Sequence, residues 1–379
     1  MIEHEPAAGD TSSELALWVR LQLTERVGGA TARQLLSRFG LPEKVFAADV
    51  AELAQVVDAH CARALKAPPN AQTQQRIART LDWLAQPGND LVTLADPRYP
   101  RTLLDIADPP ILLYVKGRVE LLQATAVAVV GSRNATAQGI LNAEDFSAEI
   151  SAAGLTIASG LALGIDAAAH RGGLQHHRAA TIAVIGTGID IIYPARNRAL
   201  AHRIAIEGCI ISEYALGTPA IASNFPRRNR LISGLSRAVL VVEAAAQSGS
   251  LITARVAAEQ GRDVFAIPGS IHSPLAKGCH QLIKQGAKLI ECAQDVLDEF
   301  DLPAAAVQRD ERAKPSQVPL CLLQQSVLDA LGFDPVDGDA LAARTGLDAA
   351  ALCVNLIELE LAGLVEILPG GQYRRLHTG

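Results

Sequence analysis

The stretch that says most about the fold runs from Asn224 to Arg262 and reads NFPRRNRLISGLSRAVLVVEAAAQSGSLITARVAAEQGR. It opens with one aromatic residue, Phe225, and then continues into an apolar segment and a glycine–serine turn. The basic residues around the aromatic are Arg227, Arg228, Arg230 and Arg237. The apolar segment is Ala238–Val242, and the turn is Ser248-Gly249-Ser250.

This order of residues has a chemical meaning. Guanidinium groups bind phosphate oxygens in a bidentate manner, and an aromatic ring gives a nucleic-acid base a face to stack on. A strand, a Gly/Ser turn and a helix in series present free N–H groups at a helix start, where anions bind. The stretch therefore indicates a polyphosphate or nucleic-acid surface on an α/β sheet. A solvated arginine-rich loop is the open alternative, because short basic runs are weak signals.

The composition limits the class of protein. At 379 residues the chain predicts two or three domains, and 49% hydrophobic with 20% charged residues supports packed cores. Since the net charge is −6, any nucleic-acid contact must come from a local basic patch. The six cysteines form no CxxC pair and no zinc-like spacing, which predicts reduced thiols. With no signal-peptide pattern and no long apolar run, the expectation is a cytoplasmic protein.

The N-terminal part, residues 1–86, is predicted to be a helical domain. Apolar residues follow a helical period from 14 to 85, and Gly28-Gly29 separates the first two helices. Helix, glycine hairpin and helix resemble helix-hairpin-helix and SAM-like modules. With Arg26 and Arg33 nearby, contact with a DNA backbone is one hypothesis, and a packing role is the other.

Residues 87–300 are predicted to form the central domain, in which 87–125 serve as a connecting extension. From Thr125 onward, short Val/Ile/Ala strands alternate with amphipathic helices, which indicates a parallel sheet covered on both faces. The fold class is therefore α/β, with a doubly wound, Rossmann-like sheet whose ligands bind at the carboxyl ends of the strands. Gly131-Ser132-Arg133, Gly186-Thr187-Gly188 and the expected loop at Phe225–Arg230 all fall at such ends.

The C-terminal part has a different character. Residues 301–317 read as a polar, Pro/Ala-rich linker. In 318–379, three helical segments (322–331, 338–345 and 349–362) precede a small hairpin, which is the winged-helix order. This module holds three arginines against eight acidic residues, so phosphates would repel it. A protein-contacting or structural module is favoured over a DNA-reading one.

Known catalytic motifs do not fit. The turn at Gly131 lacks GxGxxG, and the sequence has no GxxxxGK[ST], GxSxG or HExxH. His170, His176 and His177 cluster without acids or cysteines at ligand spacing, so no metal is predicted. Asp166 is interpreted as a packing or helix-capping residue. These absences predict a protein that needs no cofactor.

The chain resembles the DNA-processing protein A (DprA, or Smf) family over roughly residues 90–300. The motifs that carry the resemblance include DPRYP at 96–100, AVVGSR at 128–133, SGLALGIDAAAH at 159–170, IGTGID at 185–190 with Tyr193-Pro194, ISE at 211–213, FPRRNR at 225–230, SGSLITA at 248–254 and IPG at 267–269. Members of this family combine a SAM-like domain, a Rossmann-like DNA-binding domain and, in some, a winged helix. The resemblance implies a non-enzymatic homodimer that binds single-stranded DNA in natural transformation and loads the RecA recombinase onto it.

Carried over by position, the resemblance implies a DNA pocket on this chain. Its residues would be Gly131, Ser132, Arg133, Phe225, Arg227, Arg228, Asn229, Arg230, Lys277 and Gly278. Arg133 and Arg228 or Arg230 would hold phosphates, and Phe225 would stack on a base or support the loop. Ile283 and Leu289 are the candidate dimer or RecA contacts, with burial in the core as the alternative.

Two other functions stay open. A nucleotide phosphoribohydrolase would need a carboxylate, and Glu213 and Glu243 are the nearby candidates. A regulator that senses a nucleotide through the same pocket, with the winged helix as its output, is the third hypothesis.

Overall fold

A computed structural model describes residues 8–176, 180–302, 320–368 and 370–376. The described N-terminal part contains six helices: α1 (Ala8–Leu23), α2 (Gly29–Phe39), α3 (Pro42–Ala47), α4 (Val50–Leu53), α5 (Ala59–Lys66) and α6 (Ala71–Leu84). The predicted glycine boundary is where α2 begins, with Gly28 as its N-cap. Gly40 ends this helix at φ 89°, a conformation that favours glycine.

These helices pack directly on the central sheet. Trp18, Leu35 and Leu65 are buried in one apolar cluster that also contains sheet residues such as Tyr114. Arg33 adds an ion pair to Asp108 at 2.6 Å and donates to a backbone carbonyl of the 87–125 segment at 2.8 Å. Of the two hypotheses for Arg33, this geometry supports packing.

A nine-stranded sheet forms the centre of the molecule. Its strands are β1 (Asn89–Thr93), β2 (Leu112–Gly117), β3 (Ala126–Val130), β4 (Thr156–Ser159), β5 (Thr181–Val184), β6 (Cys209–Ser212), β7 (Ala238–Val241), β8 (Asp263–Ala266) and β9 (Lys288–Leu289). Their order is β1-β2-β6-β5-β4-β3-β7-β8-β9. Strands β3 to β9 are parallel, which confirms the doubly wound α/β class.

Helices cover both faces of this sheet. They are α7 (Arg101–Leu104), α8 (Ala137–Ala152), α9 (Ile165–Gly173), α10 (Arg198–Glu207), α11 (Asn224–Leu235), α12 (Gly249–Glu259), α13 (Lys277–Lys284) and α14 (Ala293–Leu297). Alternate residues of β3 face opposite sides: Val127 and Val129 pack in the cluster with α8 and α9, while Ala128 and Val130 pack in the cluster with α11 and α12. Because β3 is flanked by β4 and β7, the sheet has its topological switch point at the ends of β3 and β7.

Two predictions about this domain need correction. Residues 87–125 were predicted as a connector, but they supply β1 and β2, which extend the sheet in antiparallel fashion. The expected loop at Phe225–Arg230 is the first half of α11. The predicted linker 301–317 lies outside the described residues from 303 onward, and the domain boundary at 86/87 stays a prediction.

The C-terminal module is a winged helix. It consists of α15 (Leu322–Leu331), β10 (Val336–Asp337), α16 (Gly338–Thr345), α17 (Ala349–Leu361), β11 (Val365–Leu368) and β12 (Gln372–Arg375). Asp337 caps α16 and Asp348 caps α17, each accepting a backbone N–H at 2.8 Å. The apolar cluster of this module contains only its own residues.

None of the helices in the described part of the chain is by itself long and apolar enough to span a membrane; α16 and α17 reach that length and composition only together, across a bend of 106°.

Candidate nucleic-acid interface

The turn after β3 is held in place by its own backbone. The Ser132 N–H donates to the Glu243 carbonyl at 2.7 Å, and the Ser132 carbonyl accepts from Ile165 at 3.1 Å. Gly131 has no room for a side chain, because a Cβ would lie 2.6 Å from Cγ1 of Ile165. Gly131 and Ser132 therefore fix the shape of the turn, and Arg133 projects from it as an exposed residue.

Arg133 lies beside two aromatic rings. Its guanidinium carbon is 5.9 Å from the centre of the Phe225 ring, and Phe225 lies 5.4 Å from the Tyr193 ring, centre to centre. Phe225 also packs against the backbone at Gly186, where a Cβ would be 3.0 Å from the ring. We call Arg133, Tyr193 and Phe225 the arginine–aromatic surface. It offers a cation for phosphate and ring faces for bases.

Tyr193 had no predicted role, although it is half exposed. It belongs to an irregular loop, so no periodic pattern marks it. The only signal was its place in the Tyr193-Pro194 pair of the family resemblance.

Arg228 has a different environment from the one expected. It is 3% exposed, and its Nη1 donates to the carbonyl of Gly160 at 2.6 Å and to that of Val184. Burial lowers its pKa to about 10, and nearby Asp166 opposes the shift. The predicted phosphate contact of Arg228 is not supported by this geometry, because its guanidinium is bound to the ends of β4 and β5 inside the protein.

Asp166 belongs to the same buried group. Its carboxylate accepts from Gly160 N–H at 3.1 Å, and Gly160 must be glycine because a Cβ would lie 2.5 Å from Nη1 of Arg228. Burial raises the pKa of Asp166, and Arg228 counters the shift. The packing role predicted for Asp166 fits these contacts, whereas the N-cap of α9 is Gly164.

Arg230 is largely buried and Arg227 is exposed. The Arg230 side chain is 14% exposed, pairs with buried Glu213 and donates to the Asp108 carbonyl at 2.5 Å. The Arg227 side chain is 54% exposed, with Nε 3.9 Å from Glu213. Arg227 is therefore available to a ligand, and Arg230 fastens α11 to the 87–125 segment. Asn229 between them is half-buried.

Lys277 and Gly278 form the start of α13. Gly278 is buried, and its N–H donates to the Ala244 carbonyl at 2.8 Å. A Cβ at this position would meet the same carbonyl at 2.6 Å. The backbone N–H of Gly278 is therefore committed to the fold, while Lys277 is exposed and its Nζ donates to the Ile271 carbonyl.

The carboxylates considered for catalysis are both occupied. Glu243 accepts from Thr136 through the backbone N–H at 3.0 Å and the hydroxyl at 2.6 Å. Glu213 pairs with Arg230. Burial raises the pKa of both glutamates, against the effect of these partners. Their contacts assign them to holding the β3–α8 turn and α11.

His170 is also part of the interior. Its Nε2 accepts from Leu161 N–H at 3.2 Å, and its Nδ1 lies 2.6 Å from the Thr181 hydroxyl, which donates to a carbonyl. Burial lowers the pKa of His170 to about 3, so the ring is neutral. Within the described ranges, which omit His177, no three His, Cys, Asp or Glu residues gather as a metal site.

The fold and these contacts define a doubly wound α/β protein with a cationic and aromatic surface across the carboxyl ends of β3 to β5 and a winged helix at its C-terminal end. The model of the DNA recombination-mediator protein A family matches residues 90–301, and that of the DprA winged helix domain matches residues 311–371. The chain belongs to the DNA recombination-mediator protein A (DprA/Smf) family.

Relatives with known names agree with this assignment. Protein Smf of Escherichia coli (strain K12) is 41% identical over 307 residues, which cover 79% of this chain and 81% of the relative. The X-ray structure of DNA processing protein A from Streptococcus pneumoniae is similar with a TM-score of 0.61 and 38% identity, over 74% of this chain and 95% of that one. DNA processing protein A from Helicobacter pylori, whose structure is described in terms of single-stranded DNA binding, has a TM-score of 0.52 and 30% identity, over 56% and 98%.

Proposed function

We propose that this protein binds single-stranded DNA at the arginine–aromatic surface without strong sequence preference. The observation that carries the proposal is the placement of exposed Arg133 beside Phe225 and Tyr193 at the carboxyl ends of the parallel strands. Arg133 and Arg227 bind phosphates, and the rings stack on bases. Such contacts are tolerant of sequence, because phosphates are uniform and every base has a ring face.

Fluorescence anisotropy with a labelled strand of about 30 nucleotides tests the proposal. Wild type is compared with Arg133→Ala and with Arg171→Ala; Arg171 is a partly exposed arginine of α9 that pairs with Glu144. Loss of affinity in Arg133→Ala alone, equal on poly(dT) and on mixed sequences, supports the proposal. Equal binding by all three proteins contradicts it.

We further propose that the bound protein loads RecA onto the strand in natural transformation and recombination, and that it does so in the cytoplasm. Membership of the DprA family supports this step. The test is the rate at which RecA forms filaments on DNA coated with single-strand-binding protein. An increase with wild type that is absent with Arg133→Ala supports loading, and no increase with wild type contradicts it.

A second copy of the chain is the proposed partner at the edge of the sheet. Leu289 in β9 is 42% exposed. Among the described residues β9 is the last strand at this side of the sheet, so its outer edge can pair with another strand. Ile283 on α13 is half-buried against the core. We propose that Leu289 contributes to a homodimer contact.

We propose that the protein acts without catalysis and without a cofactor, since Glu213 and Glu243 are engaged in the fold. The phosphoribohydrolase alternative predicts release of free base from AMP that Glu243→Gln abolishes. The nucleotide-sensor alternative predicts tight nucleotide binding without affinity for DNA.

A further inference from the structure

The winged helix touches the central domain at the start of α8. Ala137, the first residue of this helix, donates its backbone N–H to Oε2 of Glu366 at 2.9 Å. Glu366 lies on β11, and its Oε1 accepts from Arg374 on β12. Both side chains are largely enclosed, at 13% and 14% exposure. A carboxylate thus occupies the position at a helix N-terminus where phosphate also binds.

This contact lies on the same turn as the proposed DNA site. Ala137 follows Arg133 by four residues, and the turn between them is fixed by Glu243 through Thr136. Two charged residues of the winged helix, Glu366 and Arg374, lie at this turn, and the module as a whole has three arginines and eight acidic residues. Negative charge near this turn opposes the approach of a phosphate backbone.

The module is built so that it can leave this position. Its apolar cluster consists of its own residues, so undocking exposes no shared core. The Glu366–Ala137 contact is polar, and interfaces between domains of one chain that are small and polar commonly open.

We propose that the winged helix is an autoinhibitory element, in which Glu366 covers the N-terminus of α8 and must be displaced when single-stranded DNA binds. This inference rests on the proposed DNA-binding function. In this role the acidic winged helix does not itself read DNA. It lowers the affinity of the protein for single-stranded DNA, because a strand that binds Arg133 must compete with Glu366.

In the full-length chain, one substitution on each side tests the contact between Glu366 and Ala137, and a third substitution is the control. Glu366→Gln removes the charge from the helix start, and Glu360→Gln makes the same change in charge at an exposed position of α17. Ala137→Pro deletes the N–H donor while keeping α8, because proline is tolerated at the first helical position. The preceding Thr136 has φ −70° and ψ 162°, which suits a residue before proline.

Anisotropy with a labelled single strand gives the readout. We expect Glu366→Gln to bind about 2- to 10-fold more tightly than wild type, as a charge at a helix terminus commonly contributes, and Glu360→Gln to change little. In the Ala137→Pro background the gain from Glu366→Gln should disappear, because the contact is already lost. Equal affinity of Glu366→Gln and Glu360→Gln overturns the proposal, and so does a gain of the same size in the Ala137→Pro background.

Carboxyl labelling of the wild type provides a test that needs no variant. Glu366 should react slowly with a carbodiimide reagent and faster at saturating DNA, while exposed Glu360 stays constant. Protection of Glu366 that persists at saturation overturns the proposal. Failure of wild type and all variants to bind DNA at low salt instead contradicts the proposed function, and the inference falls with it.

Discussion

Replacing Arg228 with alanine tests whether this arginine stabilises the fold or binds DNA. The substitution leaves two strand-end carbonyls, of Gly160 and Val184, without their donor and leaves Asp166 buried without its neighbouring cation. A buried charge that loses its compensating neighbour costs about 3–5 kcal/mol. For a domain of about 200 residues, this corresponds to a decrease of roughly 6–20 °C in Tm.

The assay is thermal unfolding, followed by anisotropy on the protein that remains folded at 20 °C. Arg133→Ala is the matched control, because an exposed substitution away from such contacts changes stability by about 0.5 kcal/mol or less. We expect Arg228→Ala to lose stability and Arg133→Ala to lose DNA affinity. The reasoning is refuted if Arg228→Ala melts like wild type and loses affinity for DNA, since its guanidinium would then face the ligand.

Three further predictions follow from buried and edge positions. Burial keeps His170 neutral in the folded state, where its pKa is about 3, whereas a histidine in an unfolded chain has a pKa of ~6.5. Between these two values the unfolded state binds one more proton than the folded state. The free energy of unfolding therefore falls as the pH drops from ~6.5 towards 3, by at most ~1.4 kcal/mol per pH unit. Urea unfolding measures the difference in free energy of unfolding between wild type and His170→Gln, and the effects of the buried carboxyls cancel in this difference. The difference should shrink from pH 7 to pH 4. A constant difference contradicts the neutral histidine. Gly278→Ala places a Cβ 2.6 Å from a carbonyl and should cost about 1–3 kcal/mol, whereas Gly249→Ala, where nothing lies within 4 Å, should leave the melting curve unchanged or shift it slightly upward; equal melting of the two variants would show that α13 is not packed as described. Leu289→Glu should shift the mass measured by light scattering from dimer to monomer while the far-UV circular dichroism stays that of a folded protein, and a persistent dimer would place the interface elsewhere.

The sequence predicts the sheet well because its strands are short, continuous apolar runs separated by amphipathic helices. Runs such as Ala126–Val130 are apolar on both faces, and this marks a parallel strand covered by helices. The three helices and hairpin of the winged helix carry clear apolar periods as well. In 87–125, the prolines around positions 97, 100, 109 and 110 obscured the strands, although the run Leu112–Val115 is a strand signal.

The site was harder to predict because binding depends on which side chains face the solvent. In a loop all the arginines of FPRRNR can face the solvent, but in α11 the 3.6-residue period sends Arg228 inward and Arg227 outward. The overlooked signal was Pro226, which fits a first helical turn, followed by buried Leu231 and Ile232. The contact between Glu366 and Ala137 joins positions 229 residues apart, and no local pattern marks it.

The salt dependence of single-stranded DNA binding tests the central claim most directly. With Arg133, Arg227 and Lys277 exposed and Arg228 and Arg230 engaged inside the protein, two or three phosphates are neutralised per protomer, which predicts a log–log slope of roughly −1.4 to −2.1. Arg133→Ala should bring this slope about 0.7 closer to zero, with the same change on every sequence. A slope near zero, or one that Arg133→Ala leaves unchanged, would contradict binding of DNA at the arginine–aromatic surface.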